Sequence, residues 1–146
     1  DGVPELIDNL MSARTNISAV YVRAALKNNP EKSIELLSAY KDIEDTGEAY
    51  ADFDYQLNRE LVIASGNPIY LLVLNGFKGL CSRLGRFYFS DPLGRELSRQ
   101  YYKNLISLAE EGKFNEAVIA VRNHGFESGK LWNELKADML KELADN

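Results

Sequence analysis

The chain has 146 residues, of which 45% are hydrophobic, and this is enough for one compact domain with an apolar core. Its net charge of −5 argues against a surface dedicated to nucleic acid, because affinity for DNA rests on clustered lysine and arginine. The single cysteine, Cys81, excludes an internal disulfide and fits a cytoplasmic protein. No apolar run reaches the roughly 18 residues that a membrane-spanning helix needs, so we expect no membrane partner.

Prolines mark the places where helices begin in the first half of the chain. After Pro4, apolar residues recur at helical spacing and predict one long helix that ends at Asn28-Asn29-Pro30. We predict a second helix from about Pro30 to about Gly47. A third covers Tyr50 to Ala64 and stops at Ser65-Gly66-Asn67-Pro68, which is a strong helix-breaking run.

The segment from Ile69 to Phe89 is the most apolar of the chain. Its helical spacing predicts a buried central helix, with a strand as the alternative for residues 69–74. The next helix runs from Pro92 to Glu111, and the last from Phe114 to about Leu143, with an interruption near Gly125 left open. No period of two supports a sheet, so the predicted fold is an all-α antiparallel bundle of six or seven helices.

The stretch from His124 to Trp132 contains the only histidine and the only tryptophan of the chain. Gly125, Ser128 and Trp132 are three and four residues apart, so they share one helix face. Two glycines inside a helix cost about 1 kcal/mol each relative to alanine. This pattern indicates close approach to the backbone, and we interpret the face as the wall of a ligand pocket.

Catalysis and metal binding are two further interpretations of this stretch. His124 and Ser128 are four residues apart on a helix, and a serine–histidine pair is the start of a hydrolase site. However, the Gly-x-Ser-x-Gly elbow is absent, and a serine inside a helix lacks an evident oxyanion hole. A zinc site draws on several histidines and cysteines, whereas this chain has one of each. We therefore predict no catalytic residues and no metal.

Arg14 lies near the middle of the first predicted helix, beside Thr15 and among apolar residues. One interpretation is a solvated arginine whose aliphatic part covers apolar surface. The other is a partner for a phosphate or a carboxylate, which a guanidinium holds well. The residues alone leave both interpretations open.

Five segments are recognisable when they are taken together: Arg14-Thr15-Asn16-Ile17-Ser18, Ala64-Ser65-Gly66-Asn67-Pro68-Ile69-Tyr70, Leu74-Asn75-Gly76, Lys78-Gly79-Leu80, and Glu127-Ser128-Gly129 with Trp132. Along the whole chain they resemble the effector domains of the FadR family, which are fatty-acid metabolism regulators of the GntR superfamily. The Ala-Ser-Gly-Asn run is similar to many GntR effector domains, whereas the first and last segments point to the FadR family itself.

The resemblance implies a single ligand-sensing domain over residues 1–146, without a cofactor and without enzymatic activity. Its effector would be long-chain acyl-CoA, which releases a homodimeric transcription regulator from DNA. By the resemblance, and because the chain starts at Asp1, we expect that it lacks the N-terminal winged helix-turn-helix domain that binds DNA. The alternatives are a GntR-type domain that senses a small organic acid, and an acyl-CoA thioesterase that uses Ser128 and His124.

The resemblance also implies which residues form the site. Those expected to bind acyl-CoA are Arg14, Thr15, Tyr88, Tyr102, Gly125, Ser128 and Trp132. Candidates for lining a tunnel around the acyl chain are Met11, Phe53, Leu57, Leu74 and Phe77. Small residues would let the ligand approach the last helix, Trp132 would offer a broad apolar face, and His124 would be a bystander at the edge.

Other GntR effector domains carry a metal held by one aspartate and three histidines. Asp54 matches that aspartate, whereas Asn58 and Tyr102 stand where two of the histidines would be. Only His124 matches a third. Two of four ligands make a weak site, and the expectation of no metal follows from this departure as well.

Overall fold

The computed structural model describes residues 2–76 and 78–145, apart from the side chains at positions 3, 4, 80, 81, 139, 142 and 143. Over these residues the chain is helical and contains no strand. The elements are α1 (Val3–Asn28), α2 (Pro30–Ser38), a 3₁₀ turn (Ala39–Asp42), α3 (Gly47–Ser65), α4 (Ile69–Gly76), α5 (Lys78–Phe89), α6 (Pro92–Glu110) and α7 (Phe114–Ala144). The predicted all-α bundle of six or seven helices is confirmed.

Capping hydrogen bonds and one left-handed glycine set the ends of α3 and α6. Thr46 begins α3, because its hydroxyl accepts a hydrogen bond from the backbone N–H of Ala49 at 3.2 Å. Gly66 ends α3 in the left-handed conformation with φ of 84°, which glycine adopts without strain. Asp91 begins α6, since its carboxylate accepts from the N–H of Leu93 at 2.8 Å.

The predicted second helix is too long. Regular α-helix stops at Ser38, the 3₁₀ turn ends at Asp42, and Ile43 has an extended backbone with φ of −87° and ψ of 144°. The capped start at Thr46 brings α3 forward to Gly47. There the helix lies so close to the end of α5 that a Cβ on Gly47 would be 3.0 Å from the backbone nitrogen of Ser90.

The predicted buried central helix from Ile69 to Phe89 is wrong in two respects. The segment forms two helices, α4 and α5, and α4 contains no buried residue. Leu72 is 70% exposed and Ile69 is 57% exposed. The apolar composition predicted helix and burial together, but burial depends on which elements cover the segment, and α4 lies at the edge of the bundle. By contrast, α7 is one continuous helix through Gly125, so the interruption left open there does not occur.

Two clusters of buried apolar side chains hold the bundle together. The first joins α1, α2, α3, α6 and α7, with Leu26, Leu61 and Leu105 among its members. The second joins α1, α3, α5 and α7 around Ile7 and Leu84. Within the described part of the chain, no helix combines the length and apolar character required to cross a membrane.

Candidate ligand-binding site

A cavity of about 130 Å³ lies between α1, α3, α5, α6 and α7, and Leu74 of α4 borders it. Most residues that the sequence proposed for the site lie in its wall. These are Arg14, Thr15, Tyr88, Gly125, Ser128 and Trp132. They come from three helices that are distant in sequence, so only the packing of the bundle brings them together.

Tyr102 lies behind the wall rather than in it. Its side chain is fully buried, and its hydroxyl donates a hydrogen bond to Oδ1 of Asp54 at 2.8 Å. Burial raises the pKa of the Tyr102 phenol well above its usual value, and the Asp54 carboxylate acts in the same direction. Tyr102 therefore stays protonated and orients Asp54, which does line the cavity.

Only some of the residues proposed to line a tunnel border the cavity. Met11 and Leu74 border the cavity. Leu57 instead belongs to the first apolar cluster and is 4% exposed. Phe53 is partly buried and packs against that cluster, edge-on to Tyr102 with ring centroids 5.5 Å apart. Helical spacing predicted that both side chains face inward but did not decide between core and cavity. Phe77 lies outside the described residues.

One wall of the cavity is a stacked aromatic pair. The rings of Tyr88 and Trp132 are 4.9 Å apart at 21°. The Tyr88 hydroxyl donates to Oγ of Ser128 at 3.2 Å. Burial raises the pKa of Tyr88 to about 12, with a smaller opposing effect of the Ser128 hydrogen bond. This wall therefore offers a broad apolar face that ends in one neutral hydroxyl pair.

The two glycines of α7 that border the cavity have different roles. A Cβ on Gly125 would collide with the side chain of Thr15, so the close approach at this glycine is made by α1. The interpretation of Gly125 as room for a ligand is therefore corrected. Gly129 also borders the cavity, and a Cβ there would meet nothing within 4 Å. The space that a ligand can use on this helix face lies beside Gly129.

His124 is a wall residue and not a bystander at the edge. Its imidazole lies flat on the ring of Tyr101, with centroids 4.0 Å apart and planes 2° apart. Burial lowers the pKa of His124 to about 4, against a smaller opposing effect of Asp54. At neutral pH the imidazole is uncharged, and its Nε2 lies 3.4 Å from Oγ of Ser128.

This serine–histidine pair lacks the surroundings of a nucleophilic site. Ser128 lies inside the continuous helix α7, whose backbone N–H groups bond to carbonyl oxygens one turn earlier. Those N–H groups are thus not available to stabilise an oxyanion. The neutral imidazole and the hydroxyl are better suited to hydrogen-bonding a carbonyl or an amide group of a ligand.

The charged part of the wall is an ion pair between α1 and α3. Nη2 of Arg14 lies 3.6 Å from Oδ2 of Asp54, and the two side chains are 34% and 23% exposed. Arg14 therefore faces the cavity with a carboxylate beside it, which neither sequence interpretation included. An anionic ligand group would approach Arg14 from the cavity side and compete with Asp54 for it.

The positions that match metal ligands elsewhere in the superfamily have other partners here. Asn58 accepts a hydrogen bond from the Tyr21 hydroxyl at 2.6 Å and donates to the carbonyl oxygen of Asp54 at 2.8 Å. Among the described residues, no group of three histidine, cysteine, aspartate or glutamate side chains is placed to hold a metal ion.

Sequence reasoning did not assign several wall residues to the ligand site. They are Ser18, Ala51, Asp54, Tyr55, Asn58, Ser82, Gly85, Phe89, Ser98, Tyr101, Val121, His124 and Gly129. A signal was present on α3, because its wall positions follow the spacing i, i+3, i+4 and i+7 and so form one helix face. Three of the four side chains on that face, Asp54, Tyr55 and Asn58, are polar. An apolar core would not need them, and such a face is typical of a helix that lines a polar cavity.

Comparison with known proteins places this chain in a family. The model of the FadR C-terminal domain matches residues 1–144. The chain is 50% identical to the fatty acid metabolism regulator protein of Shewanella pealeana over 143 residues, which is 98% of this chain and 60% of that protein. It is 48% identical to the protein of the same name from Shewanella frigidimarina, with the same coverage. The chain thus spans about 60% of the length of these relatives.

Proposed function

The chain belongs to the FadR C-terminal domain family, and on this premise we propose that it senses long-chain acyl-CoA for a transcription regulator of fatty-acid metabolism. The relatives are named as regulators of that metabolism. Because the chain spans about 60% of their length, DNA binding through an N-terminal domain and homodimer formation are proposals for the whole protein. The chain itself acts as a binding domain and not as an enzyme.

The observation that carries the proposal is the amphipathic cavity wall. The Arg14 guanidinium and the stacked Tyr88–Trp132 pair border the same cavity. An acyl-CoA combines anionic phosphates and a thioester carbonyl with an apolar chain. A guanidinium binds phosphate oxygens in pairs, while large aromatic faces take up apolar groups.

The size of the cavity indicates how binding is coupled to regulation. Its volume of about 130 Å³ is well below the roughly 300–1,000 Å³ of pockets that enclose ligands of drug size. A long-chain acyl-CoA therefore has to move helices apart, and it stabilises the arrangement in which they are apart. Thr15 and Gly125 hold α1 against α7 beside the cavity. A shift of α7 consequently reaches α1 and its first turns, Val3 to Met11.

Calorimetric titration of the metal-free chain with oleoyl-CoA tests the proposal. We expect saturable binding that Trp132→Ala and Ser128→Asn weaken, since the first removes the apolar face and the second fills space beside it. Mass spectrometry of the chain purified from cells is expected to detect co-purified acyl-CoA. No binding of any acyl-CoA, together with binding of a small organic acid that a chelator abolishes, contradicts the proposal.

The 3.4 Å approach of Nε2 of His124 to Oγ of Ser128 favours acyl-CoA thioesterase as a second candidate. In that reaction, water would cleave the thioester to a fatty acid and free CoA. Incubation with oleoyl-CoA and a thiol reagent separates the two functions. Stoichiometric binding without continued release of CoA supports the sensing domain, whereas turnover that Ser128→Ala abolishes supports the enzyme.

A further inference from the structure

Helix α4 presents an apolar face to solvent. Ile69, Leu72 and Val73 are 57%, 70% and 40% exposed. They are three and four residues apart, so they point to the same side of the helix. The helix contains no charged residue and no buried residue. This side of α4, here called the α4 apolar face, is therefore a part of the domain surface that no neighbouring helix covers.

The opposite side of α4 packs on the bundle. Tyr70 and Leu74 border a groove of about 30 Å³ between α4 and α1, which is lined mainly by apolar side chains. Tyr70 packs against Tyr21 of α1 with ring centroids 6.2 Å apart. Asn75 accepts a hydrogen bond from the hydroxyl of Tyr55 at 2.8 Å. These contacts determine which side of α4 faces outward.

Three basic side chains follow the α4 apolar face on α5. Lys78 begins α5, and its Nζ lies 5.3 Å from the centroid of the Tyr55 ring, beside the end of α4. Arg83 and Arg86 are three residues apart, so they lie on one side of α5. None of the ion pairs formed among the described residues includes these three. Their charges are therefore available to an anionic partner.

The distribution of charge along the chain is uneven in the same region. Residues 61–90 contain these three basic residues and no acidic residue. The whole chain has 22 acidic residues and a net charge of −5. The α4 apolar face therefore lies in a positively charged segment of an acidic chain.

We propose that this surface docks on a lipid bilayer that contains anionic phospholipids. The α4 apolar face enters the boundary between headgroups and acyl chains, while the three basic side chains of α5 contact lipid phosphates. Helices that lie in the membrane interface combine apolar and basic residues in this way. Docking at a surface needs no spanning helix, so the expectation of no membrane partner, which rested on the length of apolar runs, does not apply to it.

Other occupants fit the same surface less well. In a symmetric dimer a second copy of the chain would bring its three cations against these three, and like charges repel. A nucleic acid would supply phosphates but no apolar layer to cover Leu72. A bilayer supplies both, and it accepts a protruding helix face without a groove of matching shape.

Co-sedimentation of the chain with vesicles tests the proposal. Vesicles of phosphatidylcholine alone are compared with vesicles of phosphatidylcholine and phosphatidylglycerol in equal amounts. Leu72→Gln removes an apolar side chain from the α4 apolar face, and Arg86→Gln removes a cation. Ile119→Gln and Arg122→Gln are the matched controls, because both residues lie exposed on α7. Thermal melts show whether each variant is folded.

The wild type is expected to bind the mixed vesicles, to bind phosphatidylcholine only weakly, and to dissociate as salt screens the charges. Leu72→Gln is expected to weaken binding to the mixed vesicles by about tenfold, the effect of withdrawing one leucine side chain from an apolar environment. Arg86→Gln is expected to weaken it by about fivefold. Both control variants are expected to stay within about twofold of the wild type.

Absence of binding to the mixed vesicles at low salt would overturn the proposal, and so would equal losses in Leu72→Gln and Ile119→Gln. Sedimentation velocity without lipid tests the second-copy alternative. A dimer that Leu72→Gln dissociates would assign the face to another copy of the chain and overturn the proposal as well. The inference does not depend on acyl-CoA sensing, which calorimetry in lipid-free solution tests separately.

Discussion

Thr15 of α1 occupies the place where a side chain on Gly125 of α7 would lie. A Cβ atom at position 125 would be 2.5 Å from Oγ1 and 2.7 Å from Cγ2 of Thr15. Real Cβ atoms do not approach other heavy atoms so closely. The helices α1 and α7 can therefore pack this closely only because residue 125 has no side chain. The contact connects the cavity wall on α7 to the helix that begins the domain.

Gly125→Ala is expected to destabilise the domain by about 1–3 kcal/mol, because the added methyl group forces the two helices apart. Gly129→Ala is the matched control, since a Cβ there meets nothing within 4 Å. Alanine is the better helix former, so this control is expected to be neutral or to stabilise by up to about 1 kcal/mol. Urea denaturation measures both free energies of unfolding.

Thr15→Ala removes the two Thr15 atoms that lie nearest to the added Cβ and leaves its own Cβ at 3.2 Å. The double variant Thr15→Ala, Gly125→Ala is therefore expected to recover most of the stability that the single Gly125→Ala variant loses. Equal stabilities of Gly125→Ala and Gly129→Ala would show that the contact does not constrain the helices.

Ser128→Ala tests the hydrogen bond inside the aromatic wall. The substitution leaves the 4% exposed Tyr88 without its 3.2 Å acceptor. We expect a loss of about 1–3 kcal/mol in the free energy of unfolding, the cost of a buried donor without a partner. The double variant Ser128→Ala, Tyr88→Phe removes both groups and is expected to cost less than Ser128→Ala alone. A double-mutant cycle by thermal denaturation measures the coupling, and strictly additive effects would argue against the bond.

Protonation of His124 is expected to be displaced to acid pH. Its pKa in the folded chain is lowered to about 4 by burial, whereas the pKa of an exposed histidine is about 6.5. Because it is the only histidine in the chain, its C2–H resonance in proton NMR reports the titration without overlap. A midpoint near the ordinary value would show that the imidazole is solvated and does not lie against Tyr101.

The same shift makes folding stability depend on pH. Between about pH 6.5 and pH 4 the unfolded chain takes up a proton at His124 and the folded chain does not. The stabilisation is thus present above the ordinary histidine pKa and is lost as pH falls through this window, by about 2–3 kcal/mol. His124→Gln, which cannot be protonated, is expected to lack this part of the acid destabilisation in urea titrations at a series of pH values.

Substitution of Arg14 tests the polar end of the site. Arg14→Gln removes the charge that lies 3.6 Å from Asp54 and faces the cavity. We expect acyl-CoA affinity to fall by about ten- to hundredfold, the effect of losing hydrogen bonds to a charged group.

Arg23→Gln is the control for Arg14→Gln, because Arg23 lies on the same helix, donates to Asn115 at 3.2 Å and does not border the cavity. Its acyl-CoA affinity, measured by calorimetry, is expected to stay at the wild-type level. Equal losses in the two variants would indicate a general effect of net charge rather than contact with the ligand.

The helices could be predicted because their signals are local. Pro30, the Ser65–Pro68 breaker run and Pro92 end or begin helices through backbone restrictions that act over a few residues. The prediction of a buried helix from Ile69 to Phe89 was wrong, because the spacing of apolar residues does not show which other helices cover a segment. Gly125, Ser128 and Trp132 border the same cavity, as expected for residues three and four apart on a helix, and their role in binding a ligand stays a prediction.

By itself the sequence determined the helical class, most helix boundaries, the α7 face of the site and the resemblance to a family. Tertiary structure alone decided that Arg14 pairs with Asp54 and that Thr15 fills the space beside Gly125. It also decided that the apolar α4 lies at the surface beside an apolar groove. The physical reason is the distance along the chain over which the interactions act. Helix formation depends on hydrogen bonds within one turn, whereas these contacts join side chains from separate helices, and their distances are set only when the whole bundle packs.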